Sequence, residues 1–287
     1  MGEQRCYLGI ETGGTKLLAR LVHGASVIAE DRWPTTTPDA ALTAITDLVG
    51  EHRVDGIGIA GFGPIVVDPA AANYGEVLAT PKPGWAGANL RAALSERLNA
   101  PAAVDTDVNL AALAEQDRGA GKGFASVAYV TVGTGVGAGL ALAGRTLSGA
   151  LHPEMGHVPV LRLPGDTSPS GCPFHANCVE GLAAGPGVQA RLQGRRLEDS
   201  PADFAAMADY IGQLFATIVL AWSPHRIVAG GGVLSVPGLR DAAAARMGVA
   251  LGGYGVGDAA GQPGFVAAPM FENAGLDGAL ILARRAT

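Results

Sequence analysis

The chain has 287 residues and a formal net charge of −6. Hydrophobic residues make up 48% of it, which excludes an intrinsically disordered protein, and the absence of a dominant basic patch argues against nucleic acid as a partner. The 43 glycines follow no Gly-X-Y repeat, so we expect them in tight turns and close backbone contacts and exclude a collagen helix.

The same sequence favours a reducing, cytoplasmic setting without a membrane. The first residues show no charged segment followed by an apolar one, as a signal peptide would. The apolar stretch Tyr210–Trp222 is too short to span a bilayer. Three cysteines cannot form a disulfide framework, and Cys6 is expected in the core.

Strands and helices are predicted in alternation along the chain, from short apolar runs and from apolar residues at helical spacing. The predicted strands are Cys6–Ile10, Leu17–Val22, Ser26–Arg32, Asp55–Ala60, Pro101–Val104, Ser126–Val132, Ala138–Ala143, Arg226–Ala229 and Phe265–Ala268. The predicted helices are Asp39–His52, Val108–Arg118, Asp203–Trp222, Pro237–Val249 and Asn273–Arg285. This pattern indicates the α/β class. The opening strand-turn-strand unit recurs from Ser126, which predicts two related α/β lobes.

Two glycine-rich turns join strands where a nucleotide could be held. Gly9–Lys16 nearly matches a Walker A loop, but its last residues are Thr-Lys, and a strand follows it where a P-loop needs a helix. Gly133–Gly137 is likewise followed by a strand. A single hairpin of this kind is more often an ordinary tight turn, but a pair with threonines beside the glycines favours phosphate binding in a cleft between lobes.

A third glycine cluster and two aspartates lie at strand ends. Gly230–Gly232 closes a buried strand, where it either borders a purine or simply packs a strand on a helix. Asp105 and Asp107 lie between a strand and a helix. Each is a candidate for the base that phosphoryl transfer needs or for the N-cap of the helix, and both roles can be filled, one by each residue.

Cysteine and histidine residues cluster in a loop with little core of its own. A Cys-x₂-His-x₂-Cys pattern, Cys172, His175 and Cys178, follows His157, which gives the four ligands of a closed, structural Zn²⁺ site. His152 is a competing ligand. A metal here would place Glu154 and Glu180 near one site, where carboxylates can accept hydrogen bonds from sugar hydroxyls.

Several segments carry a family resemblance, and they run in order along nearly the whole chain. They are Gly9–Lys16, Gly61–Pro64, Thr80–Trp85, Thr106–Asn109, Thr131–Gly139, His152–His157, Cys172–His175, Cys178–Ala183 and Gly230–Val233. Through them the chain resembles the ROK sugar kinases, and more closely their bacterial fructokinase branch. The His-Pro-Glu-Met-Gly-His and Cys-Pro-x-His elements are quite specific to this family.

This resemblance implies an actin/hexokinase-like (ribonuclease H-like) ATPase fold with duplicated lobes, the use of ATP and Mg²⁺, and usually a homodimer. It implies an N-terminal lobe of residues 1–116 and 273–287, and a C-terminal lobe of residues 117–272 with a zinc loop at 152–180. The implied reaction transfers the γ-phosphoryl group of ATP to a hexose, D-fructose at its 6-hydroxyl.

The resemblance also implies residue roles. These are general base for Asp107; sugar contacts for Gly63, Thr106, Asp107, Glu154, His157 and Glu180; phosphate contacts for Gly13, Gly14, Thr15, Lys16, Thr134 and Gly135; adenosine contacts for Gly231 and Gly232; and zinc ligation for His157, Cys172, His175 and Cys178.

Three residues depart from the wider family. Glu11 replaces an Asp at the Mg²⁺-side turn, Thr106 replaces the Asn of the glucokinase Asn-Asp pair, and His175 replaces a Cys of the glucokinase zinc loop. The last two count against a glucokinase or an N-acetylmannosamine kinase of the same family. The other alternative is a non-catalytic sugar-sensing protein of the same fold, which the presence of Asp107 and the glycine turns disfavours.

Overall fold

The computed structural model describes residues 5–80 and 82–287. Pro81, within the Thr80–Trp85 segment, and the first four residues of the stretch searched for a signal peptide lie outside them. The chain forms two compact units: Met1–Ala114 with Arg145–Pro153 and Phe271–Thr287, and Glu115–Gly144 with Glu154–Met270. The segment Arg145–Pro153 groups with the first unit, although the sequence analysis assigned it to the second lobe.

The described residues form ten strands and nine α-helices. In chain order they are β1 Cys6–Thr12, β2 Lys16–His23, β3 Ser26–Pro34, α1 Pro38–Val49, β4 Gly56–Gly61, α2 Leu90–Leu98, β5 Ala102–Thr106, α3 Asp107–Asp117, β6 Ser126–Val132, β7 Val136–Leu142, β8 Arg145–Thr146, α4 Val179–Ala183, α5 Gly185–Leu192, α6 Pro201–Trp222, β9 Arg226–Gly230, α7 Leu239–Leu251, α8 Gly257–Ala260, β10 Val266–Ala267 and α9 Ala274–Arg285. Every predicted strand and helix is present, with ends shifted by a few residues.

The helices α2, α4, α5 and α8 and the short strand β8 were not predicted. In α2 the apolar positions are few: Leu90 and Leu94 are buried and Leu98 is partly buried, which is too short a series to reveal a helical period by itself. The helices α4, α5 and α8 have five, eight and four residues, and glycine or proline interrupts α4 and α5. Elements this short carry too few apolar positions to show a period.

The same strand arrangement occurs in both units, which confirms the predicted duplication. In the first unit the order is β3-β2-β1-β4-β5, with β1 antiparallel to β2 and parallel to β4, and β4 parallel to β5. In the second unit the order is β10-β9-β6-β7, with β6 antiparallel to β7 and parallel to β9, and β9 parallel to β10. Each glycine turn therefore joins the first two strands of its sheet.

The long helix α6 forms much of the core of the second unit. Tyr210, Phe215 and Leu214 are fully buried on it. Its length and apolar composition would suit a membrane-spanning helix, but 67% of its most apolar window is buried inside the protein. This is the pattern of a core helix.

The helix α9 packs closely on β1 and β4 because glycines line the facing strands. A Cβ atom added to Gly58 would lie 1.9 Å from the carbonyl oxygen of Ala279 and 2.7 Å from the backbone N of Ala283. These are main-chain atoms of the helix, so no side-chain rotation can relieve the overlap. Glycine at position 58 is thus a condition for this helix–sheet contact.

We expect Gly58→Ala to lower the free energy of unfolding by about 3 kcal/mol or more, because α9 must move away from the sheet. Thermal denaturation, in which each kcal/mol corresponds to about 2–4 °C for a protein of this size, measures the effect. The control is Gly248→Ala on α7, where the added Cβ meets nothing within 4 Å and helix propensity favours alanine. A melting temperature of Gly58→Ala equal to that of the control would contradict the close contact.

Candidate functional site

The first glycine turn joins β1 and β2, and two of its backbone N–H groups have no hydrogen-bond partner among the described residues. Within the turn, Gly13 N donates to Lys16 O at 2.8 Å. Outside it, Thr35 donates from Oγ1 to Gly13 O at 3.0 Å and from its backbone N to Thr15 O at 3.1 Å. Within the described part of the chain, the N–H groups of Gly14 and Thr15 make no hydrogen bond. Adjacent free N–H groups of this kind can bind an anion.

Two charged side chains adjoin this turn. Lys16 Nζ donates to Asn273 Oδ1 at 3.1 Å, at the N-terminus of α9. Glu11 Oε2 accepts from Leu276 N at 2.9 Å, and burial raises the pKa of Glu11. The expected phosphate-facing residue Lys16 and the substituted residue Glu11 therefore both join the turn to α9.

The second glycine turn joins β6 and β7 and has the same property. Gly133 N donates to Gly135 O at 2.9 Å, and Gly133 O accepts from Gly185 N at 2.7 Å. Val136 N donates to Glu180 Oε2 at 3.0 Å. The N–H groups of Thr134 and Gly135 have no partner among the residues that the structure describes. Both units thus present a turn with two free N–H groups.

The third glycine cluster lies directly beside the second turn. Val233 N donates to Val132 O at 2.9 Å, which brings the end of β9 onto the end of β6. Gly231 has φ +97°, and a Cβ there would lie 2.5 Å from Val132 O. Gly232 has open space at its Cβ position, with no heavy atom within 4 Å. The backbone at Gly232 is therefore accessible, so a flat ring such as a purine could stack on it.

The catalytic-base candidate Asp107 begins α3, but it does not cap the helix. Asn109 N donates to Thr106 Oγ1 at 3.2 Å, so Thr106 supplies the N-cap bond that we expected from Asp105 or Asp107. Asp107 Oδ1 accepts from the backbone N of its neighbour Val108 at 2.8 Å. The expectation was wrong because a cap depends on side-chain direction, which spacing alone does not fix.

Asp105 is instead the centre of a buried hydrogen-bond network under this turn. Its Oδ1 accepts from Thr106 N at 2.7 Å and from Asn109 Nδ2 at 2.8 Å, and its Oδ2 accepts from Thr146 Oγ1. Asn109 Nδ2 also donates to Leu147 O at 3.1 Å. The network ties the turn before Asp107 to the segment Arg145–Pro153. Burial raises the pKa of Asp105, and the three donors oppose that rise.

The four predicted metal ligands come together in the second unit. Their ligand atoms, on His157, Cys172, His175 and Cys178, all lie within 4.8 Å of one another. Cys172 Sγ lies 3.7 Å from Nδ1 of both histidines, and Cys178 Sγ lies 4.0 Å from His157 Nδ1. Tetrahedral Zn²⁺ with ordinary Zn–S and Zn–N bonds separates sulfur from nitrogen by about 3.6 Å. The donor set and its spacing fit a zinc ion.

Cys178 has a second contact that bears on metal binding. Its Sγ accepts from Gly181 N at 3.3 Å and caps α4. Burial raises the pKa of the Cys178 thiol to about 11. A metal must therefore displace the thiol proton, so metal binding weakens as the pH falls.

His152, the competing ligand, is not in this group. It lies in the first unit, where its Nε2 accepts from Ile65 N at 3.1 Å. Gly63 also lies in the first unit, in the loop after β4, and its peptide bond to Pro64 is cis. Asp107 and Thr106 share that unit, whereas Glu154, His157 and Glu180 belong to the second.

Glu180 joins the metal cluster to the second glycine turn. Its Oε2 accepts from Val136 N, while its Oε1 lies 3.9 Å from His157 Nε2. The short 3₁₀ helix Met155–His157 packs against the same turn, because a Cβ on Gly156 would lie 2.1 Å from Val136 O. The glycine of the His-Pro-Glu-Met-Gly-His motif thereby sets the position of His157.

The metal-binding loop also has polar anchors that the sequence did not reveal. Arg162 donates from Nη1 to Ser168 O at 2.8 Å and from Nη2 to Ala176 O at 2.6 Å. Asp166 bonds to Arg191 on α5 and to Tyr210 on α6, and these hydrogen bonds lower its pKa. Arg162 thus links separate parts of the loop, and Asp166 ties the loop to α5 and α6.

One contact at the first glycine turn was not predicted. Lys82 Nζ donates to Gly13 O at 3.1 Å and also to Gly14 O. Lys82 lies within the Thr80–Trp85 segment, to which the sequence assigned no role. Only the fold brings it beside a turn 68 residues away.

Comparisons with known proteins agree with this geometry. The family model described as "ROK family" matches residues 7–286. The chain is similar to the fructokinase of Pediococcus pentosaceus, with 38% identity over 281 residues that cover 96% of this chain and 97% of that one. It is also 38% identical to the fructokinase of Zymomonas mobilis over 249 residues, 83% of each chain.

A solved structure shows the same architecture. It is a ROK family glucokinase from Streptomyces griseus in complex with glucose and AMPPNP, with a TM-score of 0.76 and 25% identity. The match covers 98% of this chain and 99% of that chain.

We expect Thr146→Val to destabilise the protein by about 1–2 kcal/mol at neutral pH, because the buried Asp105 carboxylate loses a donor. The loss raises the pKa of Asp105 further, so the deficit is small near the ordinary Asp pKa of about 3.9 and grows as the pH rises. Melting temperatures from about pH 4 to pH 8 measure it. The control is Thr46→Val on α1, where the hydroxyl donates to the backbone carbonyl of Thr43 and, among the described residues, to no carboxylate. A deficit independent of pH would contradict this account.

Proposed function

This chain belongs to the ROK family, and we propose that it transfers the γ-phosphoryl group of ATP to the 6-hydroxyl of D-fructose, giving D-fructose 6-phosphate and ADP. The observation that carries kinase activity is the pair of equivalent turns, each with two free N–H groups at the same place in a repeated sheet. A polyphosphate is the ligand that two such anion-binding turns suit.

Asp107 is proposed as the general base. Because Thr106 supplies the helix cap, the Asp107 carboxylate remains at the start of α3, where it can accept the proton of a sugar hydroxyl. The oxygen of that hydroxyl then attacks the γ-phosphorus as the bond to the β-phosphate oxygen breaks. Mg²⁺, bound with ATP, would neutralise charge on the phosphates, and Glu11 is the carboxylate at the turn proposed to face it.

Support for fructose as the acceptor comes from the relatives and from Thr106. The fructokinases of Pediococcus pentosaceus and Zymomonas mobilis each share 38% identity with the chain over most of its length. Thr106 uses its hydroxyl as a helix cap, which differs from the Asn-Asp pair of glucokinases at this position.

Residues from both units are proposed to bind the substrates. Those proposed for the sugar are Gly63, Thr106, Asp107, Glu154, His157 and Glu180; those for the phosphates are Gly13, Gly14, Thr15, Lys16, Thr134 and Gly135; and those for the adenosine are Gly231 and Gly232. The free N–H groups of Gly14, Thr15, Thr134 and Gly135 support the phosphate set most directly. We also propose that two copies of the chain associate as a homodimer, as the family resemblance implies.

Zinc is proposed as a structural ion held by His157, Cys172, His175 and Cys178. Bound there, it would fix the imidazole of His157 beside Glu180 and so orient both side chains toward the sugar. All four of its positions are taken by protein, so it leaves none for a reacting group.

A substrate panel tests the proposed reaction. We expect ATP-dependent release of ADP with fructose to exceed that with glucose, mannose and N-acetylmannosamine. Asp107→Asn is the matched variant, and its kcat should fall by about 10²–10⁴-fold while it still binds sugar and ATP. Preferred turnover of glucose or N-acetylmannosamine would show that fructose is not the preferred acceptor. No turnover of any hexose would contradict the proposed kinase activity.

Metal analysis tests the zinc site. We expect on the order of one zinc per chain and a lower melting temperature after chelation. In Cys172→Ala the bound zinc should fall to about a tenth of that amount or less. The control Cys6→Ala removes a cysteine from the core of the first unit and should keep its zinc. Full stability and equal metal content in all forms would count against the site.

A further inference from the structure

Lys82 touches the first glycine turn from one side. Its Nζ donates to Gly13 O at 3.1 Å and to Gly14 O, two consecutive carbonyl groups of the turn. The same nitrogen lies 4.4 Å from the centre of the Phe62 ring, within range of a cation–π interaction. An ammonium has three N–H donors, and the two carbonyls use two of them.

The position of Lys82 is set by a buried tryptophan three residues later. Trp85 N donates to Lys82 O at 3.2 Å and closes a turn. The Trp85 side chain is 1% exposed, donates from Nε1 to Thr36 O at 2.7 Å and packs edge-on against Phe62, with ring centres 5.0 Å apart. Because its backbone is fixed in this way, only the side chain of Lys82 has to be ordered when it binds the turn.

The two carbonyl contacts decide where the free N–H groups point. In a trans peptide unit, C=O and N–H point in opposite directions. Gly13 O shares a peptide unit with Gly14 N, and Gly14 O shares one with Thr15 N. When Lys82 holds both carbonyls on its side, both N–H groups are turned to the other side. These are the two N–H groups of this turn that lack a partner among the described residues.

Lys82 also brings a positive charge that no carboxylate among the described residues pairs with. No ion pair among residues 5–80 and 82–287 includes it. Partial burial lowers its pKa, as expected for an ammonium that has lost water without gaining a carboxylate. A bound anion would supply the missing counter-charge.

We propose that Lys82 is the positioning residue of the first phosphate-binding turn: it holds the carbonyls of Gly13 and Gly14 so that the N–H groups of Gly14 and Thr15 face the terminal phosphates of ATP, and it adds positive charge to them. This inference rests on the proposed function for the identity of the anion. The geometry of the turn does not depend on which sugar is the acceptor.

Binding measurements with purified protein test this role separately from catalysis. The probes are AMPPNP, which carries the phosphates, and adenosine, which does not. In Lys82→Met we expect the dissociation constant of AMPPNP to rise by about 10-fold or more, as for the loss of a charged hydrogen-bond donor, while that of adenosine stays within about 2-fold. In Lys82→Gln, which keeps a neutral donor, the dissociation constant of AMPPNP should also rise. Lys82→Arg, which keeps the charge, should recover part of the loss.

Lys122→Met is the matched control, because it removes the same charge from an exposed position of the second unit. It should bind both probes as the unchanged protein does. Should one neutral Lys82 variant fail to fold, the other carries the test, with melting temperature as the criterion. Unchanged AMPPNP affinity, or equal loss for AMPPNP and adenosine, would overturn the role of Lys82.

Hexose turnover of the unchanged protein is measured alongside. Absence of turnover together with the selective loss of AMPPNP binding would reject the proposed kinase function and keep the Lys82 role. Normal hexose turnover by the unchanged protein, together with unchanged AMPPNP binding in Lys82→Met, would keep the proposed kinase function and reject the role of Lys82.

Discussion

The opposed directions of C=O and N–H in each peptide unit are the constraint on which the proposed site depends. A glycine turn can receive an anion through its N–H groups only if its carbonyls are satisfied elsewhere, since a carbonyl facing a phosphate repels it. At the first turn Thr35 and Lys82 donate to Gly13 O and Lys82 donates to Gly14 O, and at the second turn Gly185 N donates to Gly133 O. The two units solve the same problem with different residues, although their sheets share one strand arrangement.

Contacts near in sequence were the predictable part of this molecule. The alternation of apolar runs predicted the strands and long helices, and the repeated strand-turn-strand unit predicted the duplication. The spacing of Cys172, His175 and Cys178 predicted their convergence, because a short loop has few ways to place three ligands apart. His157 was predicted as the fourth ligand only because histidine commonly binds zinc. In the structure, the packing of Gly156 against Val136 places His157 beside the other three.

Contacts far apart in sequence could not be predicted. The contact of Lys82 with Gly13 and Gly14 depends on the pairing of β4 with β1. Nothing in the local sequence around Lys82 predicts this contact. Asp105 was expected as a cap or base, but Thr146, 41 residues later, makes it the centre of a buried network. The grouping of Arg145–Pro153 with the first unit follows from the same network and equally has no local signal.

The close seat of α9 on Gly58 has a consequence for the order in which the molecule forms during synthesis. The strands β1 and β4 are made early, but the helix that covers them is made only after the whole of the second unit. Until then the ribosome carries a nascent chain whose first sheet has one apolar face uncovered. All residues of the second unit are made before α9, so that unit can fold before this helix covers β1 and β4.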